Sequence, residues 1–278
     1  MSAEMALSGR NAVITGAASG IGRAIAVSLA RRGCGLALAD LDEAGLEQTA
    51  RLAGRASRIS CHRLDVADPA AVAAFPEQVL LAHDGVDVLV NNAGVALGGS
   101  FAQLSQADFE WLFAINFWGV VRMTRAFLPL LRARDEARIV NLSSLFGLIA
   151  PPGQTAYVAS KFAVRGFSES LRQELRGTPV GITVVHPGGV ATAIARSARL
   201  AAALDAEEAA RAVPRFEAML TLPPEIAGET IVRAMERRRP RVLVGRDARI
   251  ASAVERLAPV SYWRLLERMG RRGDRGGN

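Results

Sequence analysis

The chain has 278 residues, enough for one large domain or two small ones, and half of them are hydrophobic, so a sizeable core is available. The formal net charge of +7 is uneven: Arg233 to Asn278 carry 13 Arg against 5 acids, and the first 232 residues hold 21 basic and 22 acidic groups. This excludes a basic nucleic-acid stripe through the body, and the absence of any apolar run near roughly 18 residues excludes a spanning helix.

Two cysteines, Cys34 and Cys61, lie in apolar segments without a His cluster nearby, so buried reduced thiols are expected and no disulfide or metal site. Met1 to Gly9 lacks a charged-then-apolar leader pattern, and a cytoplasmic protein is expected.

Asn11 to Thr15 reads as a buried strand, and Ile21 to Arg32 as a helix with apolar residues at Ile21, Ile25, Leu29 and Ala30. Leu36 to Ala39 is a second strand ending at Asp40, followed by a helix over Glu43 to Leu52. Arg58 to Leu64 is a third strand, ending at Asp65. Pro69 opens the next helix, at a position where a missing N–H costs nothing. Val86 to Val90 is a fourth strand, Ser105 to Leu131 one long helix, and Arg138 to Leu142 a fifth strand. A helix over 153–175 and a strand over Val180 to Val185 follow. This alternation with short connections, and strands that are continuous apolar runs, predict an α/β doubly wound parallel sheet in a single domain.

Beyond Gly188 the pattern loosens. Ala191 to Ala212 reads as one or two helices, Arg215 to Leu222 as a loop or short helix, and Pro223 to Arg239 as a helix. Arg241 to Gly245 is a short last strand, Arg249 to Met269 a helix pair broken by Pro259, and Gly270 to Asn278 a disordered end.

Tyr157 and Lys161 are four residues apart and share a face of their helix. A phenol, with an ordinary pKa of about 10, needs a neighbouring positive charge to exchange protons near neutrality. Lys161 is also the only lysine in the chain, against 33 arginines. An ammonium kept here points to a role closed to guanidinium, which is bulkier and does not lose its proton. An ordinary solvated helix pair would have the same spacing. The run Thr15-Gly16-Ala17-Ala18-Ser19-Gly20-Ile21-Gly22 joins the first strand to the first helix. Its glycines allow a tight turn and let a pyrophosphate approach the helix N-terminus, where free N–H groups favour anions. Asp40, 18 residues past Gly22, is suited to accept bonds from ribose hydroxyls and to repel a 2′-phosphate, though it also suits a helix N-cap.

The glycine spacing, G-x-x-x-G-x-G, resembles that of the classical short-chain dehydrogenases/reductases. Further motifs match that family in order up to residue 192. Asp65-Val66 looks like its adenine-binding pair, Asn91-Asn92-Ala93-Gly94 like its turn beside the cofactor, and Ser144 like its catalytic serine, 13 residues before Tyr157. Asn116, a poor helix former inside a long helix, matches the fourth catalytic position, where it would hold a water linking Lys161 to solvent. Pro187-Gly188-Gly189-Val190-Ala191-Thr192 resembles the loop over the nicotinamide. Gly16, Ser19, Gly20, Ile21, Gly22, Asp40, Leu41, Asp65, Val66, Asn92, Ala93, Gly94, Tyr157, Lys161, Pro187, Gly188, Val190 and Thr192 are the expected cofactor-binding residues.

The resemblance implies a Rossmann-type domain over 10–246 after a tail of residues 1–9, with a helical lid at about 191–222 and a basic helical extension over 247–278. It implies hydride transfer between an alcohol or ketone and NAD, with NADP disfavoured by Asp40 and by the absence of Lys or Arg at Ser19 and Leu41. Tyr157 would be the general acid/base, Lys161 would lower its pKa and bind the nicotinamide ribose, and Ser144 would hold the substrate oxygen. The alternatives are an NADP-dependent ketoacyl-type reductase and a non-catalytic dinucleotide sensor. A homodimer or homotetramer through the helices of Asn116 and Tyr157 is implied as well.

The expected pocket segments are Val95 to Gly99, Leu145 to Gly153 and the lid from about Ala193 to Leu222; the first two are almost entirely apolar, which favours a hydrophobic secondary alcohol or ketone. Arg196, Arg199, Arg211 and Arg215 in the lid read as a solvated helix face rather than a grip on an acidic substrate. In the C-terminal extension, Ile250, Val254, Leu257, Tyr262, Leu265, Leu266 and Met269 recur at helical spacing among arginines. Such helices can lie on membranes. Packing over the substrate cleft or a neighbouring subunit is preferred, because Pro259 keeps each helix short.

Overall fold

In the first strand, β1 (Asn11–Thr15), Val13 faces one side of the sheet and Ile14 the other, and both are buried. A two-residue side-chain period gives this result when helices cover both faces. The computed structural model describes residues 4–54 and 56–273. After β1 come α1 (Gly20–Ala30), β2 (Gly35–Asp40), α2 (Glu43–Leu52), β3 (Ile59–Arg63), α3 (Pro69–Leu80), β4 (Val88–Asn91) and β5 (Leu97–Gly98). The helix α4 (Gln106–Phe113) runs through a π-helical segment (Ala114–Trp118) into α5 (Gly119–Arg132). Next are β6 (Ala137–Leu142), α6 (Thr155–Glu174), β7 (Val180–Pro187), β8 (Arg199–Leu200) and α7 (Ala206–Glu217). The chain continues with α8 (Pro224–Glu236), β9 (Arg241–Val244), α9 (Arg246–Leu257) and α10 (Tyr262–Gly273).

Seven strands pair in the order β3-β2-β1-β4-β6-β7-β9, all parallel, so the expected doubly wound sheet is the observed one. The order reverses between β1 and β4, and the crevice at the strand ends there is where such sheets bind ligands. One face of the sheet packs Ile25 and Leu29 of α1 and Ile231 and Met235 of α8. The other packs Phe75 of α3 and Phe127 of α5, whose rings meet edge to face at 5.5 Å. Burying each ring contributes about 2 kcal/mol.

Several local expectations are corrected. The long helix over Ser105 to Leu131 is broken by the π segment at Asn116. Of the helices expected over Ala191 to Ala212 only the start of α7, from Ala206, is observed; a turn and the two-residue strand β8 precede it, and β8 pairs with β5 in a small second sheet. Cys34 is buried and free as expected, but Cys61 is exposed, because β3 is the sheet's edge. The C-terminal helix extends to Gly273, so residues 270–273 are helical, and the rest of the expected disordered end lies outside the described residues. Near the N-terminus, Met5 and Leu7 are buried and Met5 N–H donates to the Glu236 carbonyl.

A charge cluster ties the bottom of the sheet. Asp87, fully buried just before β4, accepts from the Asn11 N–H at 2.8 Å, from Arg10 at 3.0 Å and from Arg134 at 2.8 Å. Removing one member of such a group strands the others. Asp87→Ala should therefore lower unfolding stability by about 3 kcal/mol, measured by urea denaturation; a loss under about 1 kcal/mol would show the cluster to be dispensable.

Candidate active site

The glycine turn is built by close approach. A Cβ on Gly22 would lie 2.0 Å from the Gly16 carbonyl oxygen, and one on Gly20, where φ is +54°, would meet the Thr192 methyl at 2.9 Å. The Asn92 amide holds the turn, donating to the carbonyls of Thr15 at 3.0 Å and Gly16 at 2.9 Å. The Thr15 hydroxyl in turn accepts from the N–H groups of Asn92 and Ala93, both at 3.1 Å. Ser19 precedes α1 without a side-chain cap bond, and the first turn of α1 carries no acid. Uncapped N–H groups beside glycines form a cradle that fits a diphosphate.

Asp40, at the end of β2, accepts from the Ala18 N–H at 3.0 Å and from the Leu41 N–H at 2.7 Å. Its carboxylate is thereby fixed beside the cradle with lone pairs left for hydroxyl donors. The cap of α2 is Asp42, which accepts from the Gly45 N–H at 3.0 Å. The N-cap reading of Asp40 is therefore not the observed one. Asp65 is turned into its own loop, accepting from the Ala67 N–H at 2.8 Å, while Val66 is buried against Gly119. Gly188 and Gly189 are held by Asp247 of α9, which accepts from the Gly189 N–H at 2.7 Å. A Cβ on Gly188 would overlap the Asp247 carboxylate, at 2.1 Å.

Tyr157 and Lys161 lie on the buried stripe of α6 with Ala156, Ser160, Val164 and Ser168, so they are not a solvated pair. The Lys161 ammonium donates to the Leu142 carbonyl at 3.1 Å and lies 5.7 Å from the Tyr157 ring centroid. Burial pushes the lysine pKa down to about 8. Burial also pushes the Tyr157 phenol up, opposed by the neighbouring Ser144 hydroxyl. The expected lowering by Lys161 is not seen: burial raises the phenol, and Ser144 is the group that opposes it. Ser144 caps a 3₁₀ turn, its oxygen accepting from the Phe146 N–H at 3.1 Å. Its carbonyl accepts at 2.9 Å from His186 Nδ1, a fully buried ring whose pKa burial pushes down to about 4.

Asn116 is fully buried in the π segment. Its Oδ1 accepts from the Val95 N–H at 2.8 Å, and its Nδ2 donates to the Val95 carbonyl at 3.0 Å and the Ser160 hydroxyl at 3.4 Å. Both amide functions are engaged, so the side chain brackets the β4 loop to α6. Gly94 sits between: a Cβ there would lie 3.2 Å from Asn116 Oδ1 and 3.3 Å from Lys161 Nζ.

These groups line one cavity of about 1390 Å³. Of the expected site residues, only Gly22 and Asn116 stand behind its wall. At the Tyr157 end the wall is apolar, with Leu145, Phe146, Ile149, Pro151 and Pro152, while Leu97 and Leu148 are buried beneath it. Three of the four lid arginines are occupied: Arg196 pairs with Glu217, Arg211 with Glu207, and Arg199 stacks 3.7 Å over the Trp111 ring, while the Arg215 side chain lies outside the described ones. Of these, Arg211 also touches the cavity. The extension forms part of the roof through Ile250, Ala251, Trp263 and Leu266, and Tyr262 Oη accepts from the Ala150 N–H at 2.9 Å. Sequence reading missed Thr15, Asp247 and the tie from His186 to Ser144. Asp247 stands at a helix start, as an acid should, but a partner 58 residues away leaves no local signal.

Residues 10–203 match the short chain dehydrogenase family. SadH of Mycobacterium tuberculosis, named as an oxidoreductase, is 45% identical over 262 residues, covering 93% of this chain and 94% of that protein. The crystal structure of a short chain dehydrogenase/reductase from Burkholderia phymatum in complex with NAD superposes with a TM-score of 0.82 at 33% identity, over 91% of this chain and 94% of that one. An alcohol dehydrogenase from Thermococcus sibiricus complexed with 5-hydroxy-NADP gives 0.70 at 29% identity, over 85% and 94%. Relatives thus carry either form of the nicotinamide dinucleotide, and the cradle fits that cofactor class. The chain is a member of the short-chain dehydrogenase/reductase family of oxidoreductases.

Proposed function

We propose that the enzyme interconverts apolar secondary alcohols and ketones, with NAD as cofactor and Tyr157 as general acid/base. The observation that carries this reading is one continuous cavity lined by Tyr157, Ser144 and an apolar wall at one end and by the Asp40 carboxylate at the other. Gly16, Ser19, Gly20 and Ile21 would hold the diphosphate, and Asp40 and Leu41 the adenosine ribose. Asp65 and Val66 would flank the adenine, and Asn92, Ala93, Gly94, Pro187, Gly188, Val190 and Thr192, which line the same cavity, would hold the nicotinamide half.

The bound nicotinamide supplies the hydride acceptor or donor. Ser144 fixes the substrate oxygen and stabilises charge on it. Tyr157 takes the hydroxyl proton in oxidation and returns it in reduction. Lys161, with a pKa of about 8, carries its proton at pH 7 and yet can release it, which a guanidinium cannot. Asn116 keeps the Val95 loop, and with it Gly94, against the ammonium. Exposed Trp118 and Phe162, beside the helices of Asn116 and Tyr157, support a homodimer or homotetramer through that face.

Tyr157→Phe should abolish turnover on a panel of apolar alcohols while NAD binding, followed by nicotinamide fluorescence, stays within about twofold; substantial residual turnover would remove Tyr157 from the mechanism. Asp40→Ala should weaken NAD at least tenfold and relax discrimination against NADP; native enzyme that already prefers NADP would overturn the cofactor reading.

The lysine also sets a pH dependence. Its folded pKa of about 8 lies below the 10.5 of a free lysine, so between these values the unfolded chain holds a proton that the folded chain has released. Stability contributed by this site therefore rises with pH across that window, and the desolvation penalty is complete below it. Lys161→Met should flatten the rise and, even with the Leu142 carbonyl left unpaired, stabilise the protein by about 2 kcal/mol at pH 7 while abolishing turnover. A lower melting temperature in the variant at pH 7 would show that the ammonium is a net stabiliser.

A further inference from the structure

The extension has two sides, and the roof of the cavity uses only one. A helix on a folded protein normally turns its apolar stripe inward. In α9 the inward positions are the small Ala248 and Ala251, whereas Ile250, Ala253 and Leu257 form an outward stripe at helical spacing. Leu257 is 87% exposed, and Val260, in the turn to α10, is 96% exposed. Leu265 continues the apolar surface onto α10. Arg246, Arg249 and Arg256 flank the stripe, Arg264 and Arg268 border Leu265, and all five are exposed. Among the described residues no carboxylate pairs with any of them. The acids of α9 are off this stripe: Asp247 is tied to Gly189, and Glu255 is half-buried on the inward side.

We infer that this outer face of α9 and α10 docks the enzyme on an anionic lipid surface. Aliphatic side chains projecting between arginines supply the two signals that peripheral attachment requires, burial in the acyl boundary and attraction to acidic headgroups. A second copy of the chain is a poorer occupant, because a symmetric contact would bring like arginines together. Nucleic acid is poorer too, since Leu257, Val260 and Leu265 offer bases no stacking surface. The docking face is continuous with the cavity: Ile250 is partly exposed on the outside and also lines the roof. An apolar substrate dissolved in the lipid would then reach Tyr157 with little passage through water. That consequence rests on the proposed substrate class, but the docking itself does not.

The test uses the full chain with sedimenting vesicles of phosphatidylcholine, alone or mixed with phosphatidylglycerol. The wild type should sediment with the mixed vesicles, should stay in solution with the neutral ones, and should be released by high salt. L257D/V260D and R249E/R256E should each weaken partitioning at least tenfold while retaining NAD binding and the wild-type melting temperature. None of these four residues lines the cavity, so failure of vesicle binding leaves the alcohol reading untouched. The inference is overturned by a wild type that ignores mixed vesicles, or by variants that sediment as wild type does. It is equally overturned by concentration-dependent dimers that the same substitutions dissolve, or by nucleic-acid binding as strong as vesicle binding.

Discussion

The joint between β1 and β4 is the constraint on which the rest of the site depends. Two parallel strands leave the sheet side by side and their chains depart in opposite directions. Thr15 and Asn92 lock the departing backbones together, hydroxyl to N–H and amide to carbonyl. The lock leaves no space for side chains at Gly16 or Gly22 and so fixes the cradle on one side. On the other side it delivers Gly94 into the gap between Asn116 and Lys161. One set of hydrogen bonds thus sets the distance between the glycine cradle and the Tyr157 end of the cavity.

The second organising fact is electrostatic tension. Lys161 and Tyr157 are both buried, and desolvation drives each toward its neutral form. Around them stand groups whose bonds are already spoken for: Leu142 holds the ammonium, Ser143 the carbonyl of Lys161 at 2.9 Å, and the Ser144 oxygen takes the Phe146 N–H. Such burial of two ionisable groups carries a free-energy cost that the surrounding packing must offset.

The sheet was legible because its strands are covered on both sides, which turns each into an unbroken apolar run such as Val88 to Val90. The glycine turn and the Tyr157–Lys161 spacing were legible because their partners lie within a turn of helix. What escaped depends on distant partners or on a single residue of phase. β5 and β8 are two residues long and pair across about a hundred positions, too short for any periodic signal. Asp247 looks like an ordinary helix-start acid until its contact with Gly189 is seen. The break at Asn116 hid inside a continuous apolar pattern, although Asn, Phe, Trp and Gly in succession are weak helix formers.

That break has a geometric consequence. In the π segment the Gly119 N–H reaches back five residues, to the Ala114 carbonyl, where a regular helix would reach four. The extra residue acts as a phase shift of about 100° between the helix before it and the helix after it. With it, Leu112 of α4 points at α6 and packs in the same cluster as Leu97, Ala156 and Tyr157, while Met123 and Phe127 of α5 still face the sheet. One segment thus serves two surfaces that a helix of constant pitch could not satisfy together. The wall behind the candidate proton donor is aligned by this single-residue insertion.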